Sequence, residues 1–138
     1  MATPPKQQQQ QTQQQQYWQQ PVYSAAYRLG RELIGCFRRL PRDLRYILGE
    51  RMLNAATDVI IEIALAYRTP RSTAKTRHIV RAHEQSEEIR ITVRLLKDTG
   101  TISEKYYLNL LPLIADIAKQ LAAWRHSEET KESERDKK

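Results

Sequence analysis

Apolar residues return every three or four positions through most of this chain, and no run alternates with the two-residue period of a strand. Ala26, Leu29, Leu33, Phe37 and Leu40 form the first stripe. It predicts a helix over 22–39 that Pro41 stops. Gly30 and Gly35 weaken that helix by about 1 kcal/mol each relative to alanine, and are expected to let another helix come close. Leu48, Met52, Ala55, Val59, Ile63 and Ala66 trace a second stripe over 44–67, widened by Ala56 and Ile60. Thr69-Pro70 ends it. Ser72 or Thr73 can cap a third helix carrying Ile79, Ala82, Ser86, Ile89, Val93 and Leu96.

Gly100 then fits a left-handed C-terminal cap, and Ser103 fits the N-cap of a fourth helix, with Ile102 and Tyr107 placed as a hydrophobic staple. Leu110, Leu113, Ile117, Leu121 and Trp124 make the last stripe. Pro112 lies inside it and is expected to kink the helix about a turn earlier, near Leu108. Four helices of similar length with short connections predict an all-α fold, an antiparallel up-down-up-down four-helix bundle. No repeat longer than the heptad is visible.

The tails change the domain picture. Residues 7–20 are mostly glutamine, too poor in apolar surface to offset the entropy of ordering. Residues 127–138 mix opposite charges and hold no large apolar side chain. The expected organisation is a disordered Gln-rich tail over 1–20, one bundle over 21–126 and a charged disordered tail over 127–138.

Charge points to a class of partner. The chain carries a net charge of +7, and the same excess lies within 21–126. Arginine outnumbers lysine nearly two to one, and its fork donates to phosphate in pairs. Sorting the cations by the ends of an up-down bundle gives two basic poles. One holds Arg38, Arg39, Arg42, Arg45, Arg94, Lys97 and Lys105, opposed by Asp43, Asp98 and Glu104; the other holds Arg28, Arg68, Arg71, Lys75, Arg77 and Arg125. Arg38, Arg39, Arg42, Arg45, Arg71, Lys75, Arg77, Arg94 and Lys97 are the candidate nucleic-acid contacts. Arg77 can equally join Arg81 in ordinary surface pairs with Glu84 and Glu88. Arg90 and Glu87 flank the third stripe, where a subunit interface would use them. Tyr46, Tyr106 and Tyr107 fall near one pole, with Tyr23, Tyr27 and Tyr67 near the other. They suit either core edges or stacking on unpaired bases.

Other classes find little support. Cys36 is the only cysteine, so no intrachain disulfide and no cysteine-based metal site exists, and a reducing compartment fits. No apolar run approaches the ~20 residues of a membrane span, and no signal-peptide core opens the chain, so a cytoplasmic protein is expected. No phosphate loop and no spaced metal ligands appear, so neither cofactor nor catalytic centre is expected. One weak pattern remains. Small helical ribonucleases of the HEPN class place an arginine and a histidine with four to six residues between them, as Arg77 and His83 or Arg71 and His78 would be. His83 lies near the apolar stripe and reads equally as a packed side chain.

Residues 22–126 also resemble a known family. The matching features are Leu40-Pro41-Arg42, Leu48-Gly49-Glu50-Arg51, Ile63-Ala64-Leu65-Ala66-Tyr67, Ile89-Arg90, Val93-Arg94-Leu95-Leu96 and the turn Gly100-Thr101-Ile102-Ser103. The most specific is Leu113-Ile-Ala-Asp-Ile-Ala-Lys-Gln-Leu-Ala-Ala-Trp124. Together they resemble the accessory variability determinant (Avd) of diversity-generating retroelements, which belongs with the S23-type four-helix bundle proteins. The glutamine tract and Pro112 depart from the pattern. The resemblance implies a homo-pentameric barrel of bundles that binds RNA and DNA and associates with the retroelement reverse transcriptase. It implies support of cDNA synthesis from template-repeat RNA in mutagenic homing, with no enzymatic activity of its own. The alternative within the same fold is an S23-type homo-oligomeric assembly module without a polymerase.

Overall fold

The computed structural model describes residues 16–136. Most of the glutamine tract, residues 1–15, therefore lies outside the described residues, as do residues 137–138. A 3-10 turn, Tyr17–Gln19, leads into α1, Pro21–Arg39. Helix α2 starts as Arg42–Leu44, passes through a π-helical turn, Arg45–Gly49, and continues as Glu50–Arg68. Helix α3 is Thr73–Asp98 and α4 is Glu104–Asp136. Helix α1 packs on α2 and α4, while α3 packs on the same two from the opposite side. The expected all-helical, up-down-up-down bundle is the architecture.

The four stripes meet in one core. Leu29, Leu33, Met52, Ile63, Ile79, Ile89, Leu96, Ile114, Ile117 and Leu121 are almost fully buried. Burying a Leu, Ile or Met of this size stabilises the fold by about 1.5–3 kcal/mol each, so these stripes supply the driving force. The capping chemistry holds as well. The Ser72 hydroxyl accepts from the Lys75 N–H at 3.3 Å and the Ser103 hydroxyl from the Tyr106 N–H at 3.0 Å. Gly100 has φ +74°, with Gly100 N–H donating to the Lys97 carbonyl and Thr101 N–H to the Leu96 carbonyl. That pair of bonds is a Schellman motif, and it ends α3 in the left-handed conformation glycine accepts.

Three features differ from expectation. The charged segment after His126 is not a disordered tail as far as Asp136: α4 continues through it, with Glu128 only 4% exposed. The extension runs beside the start of α3 and the Arg71 turn before it. The added turns pack by polar contacts: Thr76 donates to Glu132 at 2.8 Å and Arg135 donates to the Arg71 carbonyl at 3.1 Å. Second, α2 contains a π turn where a regular helix was expected, while α4 runs through Pro112 as one helix. Third, the two early glycines differ. A Cβ on Gly30 would meet Ile60 Cδ1 at 3.0 Å, so α1 and α2 do come close there, but a Cβ on Gly35 would meet nothing within 4 Å.

Candidate nucleic-acid interface

Helix α1 presents its apolar stripe to the core, which forces its arginines outward. Arg28, Arg31, Arg38 and Arg39 are all exposed and line one open trough along the helix with Glu32 and Gly35. Arg28 and Arg38 stand ten residues apart, about 15 Å along the axis. None of the four forms an ion pair with a described residue, although most other arginines do. Arg42, just past the helix end, is likewise exposed and without such a pair. Arg39 also lies over the Tyr106 ring, 4.9 Å from its centroid, while the Tyr106 hydroxyl donates to the Glu32 carbonyl. These contacts tie the trough to the start of α4. Glu32 is the only acid among the trough's lining residues.

The remaining sequence candidates divide. Arg45 is half-buried and caps α1, donating to the carbonyls of Leu40 at 3.0 Å and Arg38 at 3.3 Å. A guanidinium at a helix C-terminus satisfies orphan carbonyls and opposes the negative end of the dipole, so Arg45 is structural. Arg94 donates to Asp98 at 3.0 Å, and Lys97 Nζ sits 3.4 Å from the same carboxylate. That hydrogen bond from Arg94 holds the Asp98 carboxyl below its usual range and raises the Arg94 pKa. Arg77 is exposed and free of described acids. Arg90 and Glu87 bind each other at 2.7 Å on the surface of α3.

The second basic pole is neutralised only in part: Arg68 and Arg77 are exposed and form no ion pair with a described residue. Arg71 Nε lies 4.0 Å from the buried Glu128 carboxylate and Lys131 Nζ lies 3.6 Å from it. Lys75 is half-buried with its ammonium 5.7 Å from the Trp124 ring centroid, and burial pushes its pKa down. Arg125 pairs with Glu129. The helical extension of α4 supplies all of these acids, so Arg71 and Lys75 are poorer phosphate contacts than their charge suggested. The densest run of exposed, unpaired cations is thus one face of α1. Arg31, absent from the sequence candidates, stands in the middle of it. A helical wheel drawn for α1 would have found it, because Arg31 shares a face with Arg28 and Arg38.

Neither histidine pattern assembles. His78 bonds through Nδ1 to Glu62 on α2, whereas Arg71 turns toward Glu128. Arg77 and His83, six residues apart on one helix, point roughly 120° apart. Among the described residues no group of three or more His, Cys, Asp or Glu side chains could hold a metal. No described helix is long and apolar enough to cross a membrane.

Residues 19–123 match the profile of the 23S rRNA-intervening sequence protein, a match that takes in α1 to α3 and α4 as far as residue 123. The chain belongs to that family. Among curated proteins no match is found. The intervening-sequence family boundary at residue 123 stops short of the α4 extension, so the acids that neutralise Arg71 and Lys75 lie outside the matched region.

Proposed function

We propose that this protein is a non-enzymatic, nucleic-acid-binding accessory subunit. In this reading it assembles as a homo-pentamer in the cytoplasm and serves a diversity-generating retroelement reverse transcriptase during cDNA synthesis from template-repeat RNA. The Avd-like sequence features support the polymerase partner. The row of exposed guanidinium groups on α1, without carboxylate partners among the described residues, carries the nucleic-acid part. Buried phosphate-free arginines would be paired, and a merely soluble surface would intersperse both signs. Phosphate binding by such groups is electrostatic and largely blind to sequence.

The test is a charge-reversed variant, Arg28→Glu, Arg31→Glu, Arg38→Glu and Arg39→Glu together. All four side chains are in water, so the bundle should still fold. RNA and DNA affinity should fall by roughly two orders of magnitude, and recovery of the co-expressed reverse transcriptase with nucleic acid should fall with it. Unchanged affinity would refute the reading.

A plain S23-type assembly module is the second reading. Exposed Ile61 and Leu65 on α2, and Ile91 and Leu95 on α3, favour it, since such i,i+4 apolar pairs suit contact between copies. A stable oligomer whose mass is unaffected by the arginine variant, with no nucleic-acid binding in either protein, would select it.

A further inference from the structure

Helix α1 carries two features that phosphate binding alone does not require. The first is an aromatic ladder at its start. The Tyr17 ring lies edge-on to Trp18, with centroids 5.3 Å apart, and to Tyr23 at 5.2 Å. Tyr23 in turn stacks on Tyr27 at 6.2 Å and 22°. Tyrosines that close a core bury their rings, as Tyr107 does at 8% exposure. Trp18 and Tyr27, at the two ends of the ladder, are each 52% exposed. Flat π surfaces are thus held preformed in water beside Arg28 and Arg31.

The second feature is Gly35. A mid-helix glycine costs about 1 kcal/mol relative to alanine. Gly30 has a packing reason in Ile60, but a Cβ on Gly35 would meet no atom within 4 Å. Folding therefore gives Gly35 no purpose. Its surroundings do, because it lies in the trough lined by Arg28, Arg31, Arg38 and Arg39. Without a side chain there, the helix backbone is bare where a phosphodiester chain between guanidinium groups would run closest. Tyr23, Tyr27, Arg31 and Gly35 follow at four-residue steps, about 6 Å each, and so form one ridge that leads to Arg38 and Arg39.

We propose that this ridge is a track for single-stranded nucleic acid, whose bases stack on the Trp18–Tyr27 ladder while its backbone lies against Gly35 among the arginines. The proposal rests on the nucleic-acid reading above and narrows it to unpaired strands. Base faces are available for stacking only when the strand is unpaired, so a duplex could use the arginines but not the ladder. Glu32 borders the trough and opposes the strand's charge, and the guanidinium groups outnumber it.

The full-length protein is titrated by fluorescence anisotropy with a labelled uridine homopolymer and with a duplex RNA of equal length. The Trp18→Ala/Tyr27→Ala variant should weaken homopolymer binding about tenfold or more and leave duplex binding within about twofold. Gly35→Ala should raise Tm yet weaken the homopolymer, and Gly35→Leu should weaken it further. Three outcomes would overturn the proposal: equal losses for both ligands, full homopolymer binding by Gly35→Leu, or a change of oligomeric mass in the Tyr27 variant in place of lost affinity. The four-arginine variant separates the two layers. If it loses all binding while the ladder and Gly35 variants lose none, only the single-strand track is wrong. If it loses nothing, the nucleic-acid reading itself is wrong.

Discussion

Arginine at this surface has three different fates, and geometry decides among them. Arg45 finishes α1 by bonding its last carbonyls, Arg94 binds a carboxylate one turn away, and Arg31 faces water alone. Only the last kind keeps its donors for a ligand. The Arg94 pair can be followed directly. Its hydrogen bond lowers the Asp98 pKa, so any stability it adds is present above the ordinary aspartate value of 3.8 and is lost as pH falls through the lowered one. Both groups are exposed, so the effect on folding is small. The Asp98 carboxyl should titrate below 3.8 by NMR in the native protein, and rise toward that value in Arg94→Gln, where Lys97 still holds it down. An unshifted native titration would show that the pair does not persist in solution. Cys36 differs in kind: its burial pushes the thiol pKa up and leaves it a small apolar group.

At the scale of elements, the π turn has a local cause. It places Gly49 against α1, where an added Cβ would come within 2.7 Å of the Phe37 ring and 3.2 Å of Leu40. Gly49→Ala should therefore destabilise the bundle by about 1–3 kcal/mol through overpacking, despite alanine's better helix propensity. Thermal unfolding measures this directly, and an equal or higher Tm would mean that α2 can shift its turn without loss. The π turn left no trace in the sequence, since the residues from Arg45 to Gly49 fit a regular helix as well. The α3–α4 turn was readable because its chemistry is local: Gly100 and Ser103 each act on backbone within a few residues. The α4 extension was unreadable for the opposite reason. Glu128 and Glu132 find partners on Arg71 and Thr76, more than fifty residues earlier in the chain, and a rule that looks for apolar stripes sees only polar side chains there. The basic surface was half legible. Arginine content and order along the chain gave its charge, but sorting by bundle ends split Arg28 from Arg38, which share a helix face, and passed over Arg31 between them.

For the whole molecule, binding strength should depend on salt in a way that counts contacts. If Arg28, Arg31, Arg38, Arg39 and Arg42 each displace a counterion from a single strand, log affinity should fall with log salt at a slope of about −3 to −4. Isothermal titration across a salt series reads the slope, and a value near zero would exclude electrostatic binding. The slope should flatten by about 0.7 for each arginine removed. A last consequence follows from the diagonal placement of α1 and α3. Several acids on α2 and α3 are matched internally, with Glu88 on Arg51, Glu87 on Arg90 and Glu62 beside Arg81 and His78, whereas the exposed cations of α1 have no acidic partner among the described residues. The two helices are therefore unequal landing sites for an anionic surface. Helix α1 offers guanidinium groups whose donors are unengaged, whereas Arg81, Arg90 and Arg94 on α3 must first leave a carboxylate.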